Sequence, residues 1–126
     1  MKNPLSILIL DDEPLVGDRL KPALEKNGYE VETFTDPREA LKRLEARTFD
    51  IVLTDIRMEN IDGIQILDSV VKMSPRTRVL MITGYATMQL ARKAMAKGAF
   101  DFIAKPFKTA DIQEMVDKAA ADLNAS

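Results

Sequence analysis

The chain has 126 residues, 46% of them apolar, which is enough to bury one proper core within the size of a single domain, so one domain over residues 1–126 is expected. Its 18 basic and 20 acidic side chains leave a net charge of −2, and no segment concentrates Lys and Arg as a duplex-binding surface would, which speaks against direct nucleic-acid binding. Cysteine and histidine are both absent, so disulfides, thiol chemistry and imidazole bases or metal ligands are excluded, and chemistry falls to carboxylates, hydroxyls, lysine or a bound ion. The apolar stretch Leu5–Leu10 is too short for a signal segment and runs straight into acids, and nothing else approaches a membrane span. A cytoplasmic protein is the expectation.

Ser6–Leu10 opens the chain as a short, nearly continuous apolar run, the pattern of a strand covered on both faces. A helix follows from about Pro14 to Asn27, with its core face on Leu15, Val16, Leu20, Ala23 and Leu24. Pro22 falls inside it, removes one ladder hydrogen bond and crowds the carbonyl of Asp18, so a kink is expected between the two. Glu30–Phe34 alternates polar and apolar, as an edge strand with one wetter face does. Asp36-Pro37-Arg38-Glu39 is a helix start signal, with Asp at the N-cap, Pro at the first helical position and Glu three residues after the cap. That helix, with Ala40, Leu41 and Leu44 inward, should run to about Arg47.

Ile51–Thr54 and Arg78–Ile82 read as further central strands, and Phe100–Ala104 as a marginal one. Between them Ile64, Leu67, Val70 and Val71 repeat at helical spacing until Ser74-Pro75 stops the segment. Ala86–Lys97 is helical by its Ala, Met and Leu content and ends at Gly98, with a less defined apolar stripe that suits a partner. Ile112, Met115, Val116, Ala119 and Leu123 mark the last helix. Five alternating strand and helix units predict an α/β domain with a parallel sheet, because each right-handed crossover packs its helix back on the sheet.

Three apolar runs end on residues suited to phosphoryl transfer, in Leu10-Asp11-Asp12-Glu13, Leu53-Thr54-Asp55 and Ile103-Ala104-Lys105-Pro106. If the runs are parallel strands, these residues converge at the carboxyl edge of one sheet, where ligands of open α/β sheets bind. Two carboxylates held 4 Å apart repel by about 4 kcal/mol at an effective dielectric near 20, so three acids together call for a cation. An all-oxygen ligand set favours Mg2+ over zinc. On their own, Asp11 or Asp12 would serve equally well to cap the helix near Pro14. Asp55, at the mouth of the run expected to be most buried, has the chemistry of a nucleophile toward phosphorus, and Lys105 supplies the complementary charge. Thr83 offers a hydroxyl at the same edge, beside the small residue Gly84.

Taken in order, Leu10-Asp11-Asp12-Glu13-Pro14, Leu53-Thr54-Asp55-Ile56-Arg57-Met58 with Asp62-Gly63, Met81-Ile82-Thr83-Gly84-Tyr85-Ala86, Lys97-Gly98-Ala99-Phe100-Asp101-Phe102 and Lys105-Pro106-Phe107 closely resemble bacterial response-regulator receiver domains. The likeness covers almost the full length, and the phrases around Asp55, Thr83 and Lys105 are most similar to receivers of enhancer-binding, nitrogen-regulation-type transcriptional activators. The resemblance implies a flavodoxin-like (βα)5 three-layer sandwich with strand order 2-1-3-4-5, an order for which a member of this family is a standard illustration. It implies that Asp55 accepts phosphate from a histidine kinase in a two-component phosphorelay, and that Asp12, Asp11, Asp55 and the Arg57 backbone carbonyl hold Mg2+. Lys105 and Thr83 would bond the phosphoryl oxygens, and the Lys105-Pro106 bond would be cis. Thr83 and Phe102 would form the switch, and the 86–123 surface would change to control a homodimer or an output domain beyond this chain, in transcription regulation. The domain would be a signalling module that catalyses only its own phosphorylation and dephosphorylation, and so no enzyme.

Glu59 stands where the family commonly has proline, which removes a rigid turn residue and adds a charge near the site. Arg57 and Tyr85 would rim the pocket and screen attacking water. Two other readings compete: a receiver-like adaptor that never turns over phosphate, and a haloacid-dehalogenase-type phosphatase, against which Arg57 occupies the position of that family's second acid.

Overall fold

The computed structural model describes residues 4–56, 62–84 and 88–125. Strands β1 (Ser6–Leu10), β2 (Glu30–Phe34), β3 (Ile51–Asp55), β4 (Arg78–Thr83) and β5 (Asp101–Ala104) alternate with helices α1 (Pro14–Lys26), α2 (Pro37–Ala46), α3 (Gly63–Met73), α4 (Met88–Ala96) and α5 (Thr109–Ala125). All pairings are parallel, in the order β2-β1-β3-β4-β5, so the flavodoxin-like expectation holds. The alternating strand β2 and the intermediate β5 lie at the two edges, and the apolar runs lie between them.

Side-chain alternation splits the core into two layers. Ile7, Ile9, Ile51, Leu53, Leu80 and Ile82 face α1 and α5, where Leu20, Leu24, Ile112, Val116 and Leu123 meet them. Leu8, Leu10, Val52, Val79 and Met81 face the other way, toward Leu44, Leu67, Val70, Ala91 and Ala94. The stripe of α4 is hard to read in sequence because its buried residues are alanines.

Two apolar positions depart from the expected core. Leu15 is 74% exposed, because the inward stripe of α1 runs through Gly17, Leu20 and Leu24 and Leu15 stands about 140° from Leu20 around the helix. Val71 is 37% exposed, at the margin of an α3 stripe centred on Ile66, Leu67 and Val70. Helix α1 continues without interruption through the exposed Pro22. Asp36 caps α2 by accepting from the Arg38 backbone N–H at 2.9 Å, whereas the full reciprocal capping box forms at α3, between Asp62 and Gln65.

Candidate functional site

Register brings the strand-end residues together. Leu10 pairs with Thr54, Asp55 with Ile82, and Thr83 with Ala104, so Asp11, Asp55, Thr83 and Lys105 all lie within one residue of the same line across the sheet. Backbone bonds extend that line past the strands: Asp11 N–H donates to the Phe34 carbonyl at 3.1 Å, Ile56 N–H to Ile82 at 2.9 Å, and Lys105 N–H to Thr83 at 2.7 Å. The Lys105-Pro106 peptide bond is cis.

Asp11, Asp12 and Asp55 each bring a carboxylate oxygen within 4.8 Å of the others. Asp11 and Asp55 are buried, at 1% and 8% exposure, while Asp12 faces solvent. The Lys105 ammonium lies 3.1 Å from Asp55 Oδ2, 3.2 Å from Asp11 Oδ2 and 3.3 Å from Glu13 Oε1. Three carboxylates thus share the Lys105 ammonium, with Asp12 beside them, and among the described residues acids outnumber cations at this edge.

Neither Asp11 nor Asp12 caps the following helix: the N-cap of α1 is Glu13, and no side-chain hydrogen bond caps it. Asp11 Oδ1 accepts from the Glu13 backbone N–H at 2.8 Å, whereas its buried Oδ2 has no hydrogen bond among the described residues and only the ion pair to Lys105. Burial, assisted by the charge of Asp55 and only partly offset by the Glu13 bond and Lys105, pushes the Asp11 carboxyl up to about 6. For Lys105, burial works against the ammonium, but the hydrogen bond and charge of Asp55, followed by Asp11, outweigh it and hold the amine above its ordinary value. Both shifts describe a site short of positive charge. A buried carboxylate oxygen whose partner among the described residues is the shared Lys105 ammonium, within a cluster of hard oxygen ligands, fits a divalent cation such as Mg2+.

Thr83 is fully buried, with Oγ1 donating to the Gly84 carbonyl at 3.1 Å. Phe102 is half-buried against the core layer that contains α4. Arg57, Glu59 and Tyr85 lie outside the described residues.

Two residues gain importance only in three dimensions. Glu13 was legible as a neighbour of the acid pair, but not as a partner of Lys105, which is 92 positions away. Gly63 packs so tightly under the acceptor strand that a Cβ there would lie 2.3 Å from the Asp55 carbonyl oxygen and 2.8 Å from Ile56 Cα. Its N–H donates to the Ile56 carbonyl at 2.6 Å. Beside the acids, Glu13, Leu15, Val16, Arg19, Gly84, Lys105, Pro106 and Phe107 line a mainly apolar groove of about 490 Å3.

The response regulator receiver domain profile matches residues 7–117. Transcriptional regulatory protein ZraR of Escherichia coli O157:H7 is 34% identical over 117 residues, covering 93% of this chain and 26% of its own length. The chain thus spans about a quarter of that relative's length. The crystal structure of the receiver domain of NtrX from Brucella abortus superposes with a TM-score of 0.85 at 34% identity, covering 95% of this chain and 99% of that one. The solution structure of the beryllofluoride-activated NtrC4 receiver domain dimer gives a TM-score of 0.86 at 31% identity, covering 94% and 98% of the two chains.

Proposed function

Because the chain belongs to the response regulator receiver domain family, we propose that residues 1–126 form a phosphoacceptor domain that takes a phosphoryl group from a histidine kinase onto Asp55. The observation that carries this reading is the pairing of Asp55 Oδ2 with Lys105 Nζ at 3.1 Å, inside a group of carboxylates that a divalent cation would balance. An Asp55 oxygen attacks phosphorus, the bond from phosphorus to the donor's imidazole nitrogen breaks, and the electron pair leaves with the imidazole. Lys105, held at the acceptor by the tertiary fold, counters the charge on the entering phosphoryl oxygens. Thr83 supplies a hydroxyl at the same edge once it turns from the Gly84 carbonyl toward the phosphoryl group.

Mg2+ would be held by Asp12, Asp11, Asp55 and the Arg57 backbone carbonyl, and would supply charge neutralisation at the phosphoryl oxygens. In this reading Asp12 would bind the ion directly and Asp11 largely through water, the latter once ionised.

The output proposed is a change of packing of Thr83 and Phe102 that alters the surface formed by α4, β5 and α5. That surface would serve a homodimer, in keeping with the dimer named for NtrC4, or an output domain of a longer cytoplasmic transcriptional regulator. On this reading the domain signals and does not process a separate substrate.

The test is intact mass after incubation with acetyl phosphate, with Mg2+ and with EDTA, beside an Asp55→Asn variant. A base-labile gain of one phosphoryl group that requires Mg2+ and is lost in the variant is expected. An equal gain in the variant would assign the acceptor elsewhere, and no gain from either acetyl phosphate or the kinase would leave a phosphate-independent adaptor.

A further inference from the structure

Glu13 breaks a local rule. A carboxylate at a helix N-terminus gains from lying over the unpaired amides of the first turn, by the helix dipole and, for the shorter Asp, by a capping bond. Glu13 makes no such bond and leaves the first turn of α1 without an acid. Its side chain reaches instead across the site, to 3.3 Å from Lys105 Nζ. The contact is not forced by crowding, since the side chain is 67% exposed.

The alternative use of that charge follows from what Lys105 must do. Lys105 lies 3.1 Å from Asp55 Oδ2 and 3.2 Å from Asp11 Oδ2, and so already stands between the two acids. A phosphoryl group arriving on Asp55 needs the ammonium that Glu13 also holds, and Glu13 and Lys105 line the same open groove. An anion that reaches Lys105 from that side therefore meets the Glu13 carboxylate first. We propose that Glu13 is a positioning residue that competes with incoming phosphoryl oxygens for Lys105, and so disfavours small, highly charged phosphodonors from solution.

This inference rests on the phosphoacceptor reading of Asp55, and the experiment separates the two. Rates of phosphorylation of the parent, Glu13→Gln and Glu13→Asp proteins are measured at saturating Mg2+ with the dianionic donor acetyl phosphate and the less charged donor phosphoramidate, at low and high ionic strength. For an exposed ion pair the expected acceleration in Glu13→Gln with acetyl phosphate is about threefold at low salt, smaller with phosphoramidate and absent at high salt. Glu13→Asp, which keeps the charge but is one methylene shorter and can cap α1 instead, should fall between the parent and Glu13→Gln. In the metal-free protein, Glu13→Gln should also move the Lys105 side-chain 13Cε resonance. Parent protein that takes phosphate from neither donor overturns the acceptor reading, and this inference with it. Phosphorylated parent with an unchanged or slower Glu13→Gln variant, acceleration independent of donor charge and salt, or an unmoved Lys105 resonance overturns the inference alone.

Discussion

Two clusters of charge sit on this small domain, and they are built on opposite plans. Along the edge strand β2 and helix α2, Glu30 and Glu32 meet Arg43 and Arg47 at 2.7–3.0 Å, and the Arg47 guanidinium lies 4.8 Å from the centre of the Phe49 ring. The hydrogen bond from Arg43 holds the Glu32 carboxyl below its ordinary value, and both arginines are held above theirs chiefly by their bonds to Glu32 and Glu30. At the carboxyl edge of the sheet, Asp11 shifts the other way, because burial and the Asp55 charge exceed what Lys105 can offset. A balanced cluster on a half-exposed surface fastens a helix to an edge strand, while a cluster with excess buried charge of one sign waits for a ligand.

The sharpest way to break this comparison is to titrate it. An unfolded Asp11 releases its proton near 3.8 and the folded one near 6, so the folded state binds more protons in between. Metal-free protein should therefore lose stability as pH rises from about 4 to about 6, by up to about 3 kcal/mol, and hold that loss above. Asp11→Asn should remove this slope and weaken the stabilisation by Mg2+ at pH 7.5, as followed by denaturant melts with and without the ion. A slope that persists unchanged in the variant would deny the excess-charge description of this edge.

A second prediction asks whether backbone packing, as well as charge, builds the acid edge. Gly63→Ala should cost about 2 kcal/mol in a denaturant melt, because the added methyl collides with the Asp55 carbonyl oxygen. Gly28→Ala is a useful contrast, since Gly28 has a positive φ of 95° but open space around it and should suffer from conformation alone. The smallest effect belongs to the balanced cluster: Glu32→Gln should cost below about 1 kcal/mol and leave Mg2+ binding unchanged. A larger loss would mean that the β2 cluster is more than a surface fastening.

The distribution of legible and illegible features follows from the range of the forces involved. Strand identity and edge position could be read because a strand buried on both faces is apolar over most of its length, as Ile51–Leu53 is, whereas Glu30–Phe34 alternates with polar residues. The convergence of Asp11, Asp55, Thr83 and Lys105 could be read too, since parallel strands end on one edge by construction. Helix faces were less secure. Leu15 and Val71 are as hydrophobic as their neighbours, and only the direction of each helix against the sheet turns them outward.

By itself, then, the sequence determined the number and order of the elements, the parallel sheet and the acids at its carboxyl edge, because each depends on periodicity or on a residue's place in its own strand. Only the tertiary structure decided that Lys105 is shared by Asp55, Asp11 and Glu13, that one Asp11 oxygen is buried with no hydrogen bond among the described residues beyond its ion pair to Lys105, and that residue 63 has no room for a side chain. Those outcomes depend on a few tenths of an ångström between residues far apart in the chain, and no local pattern encodes such distances.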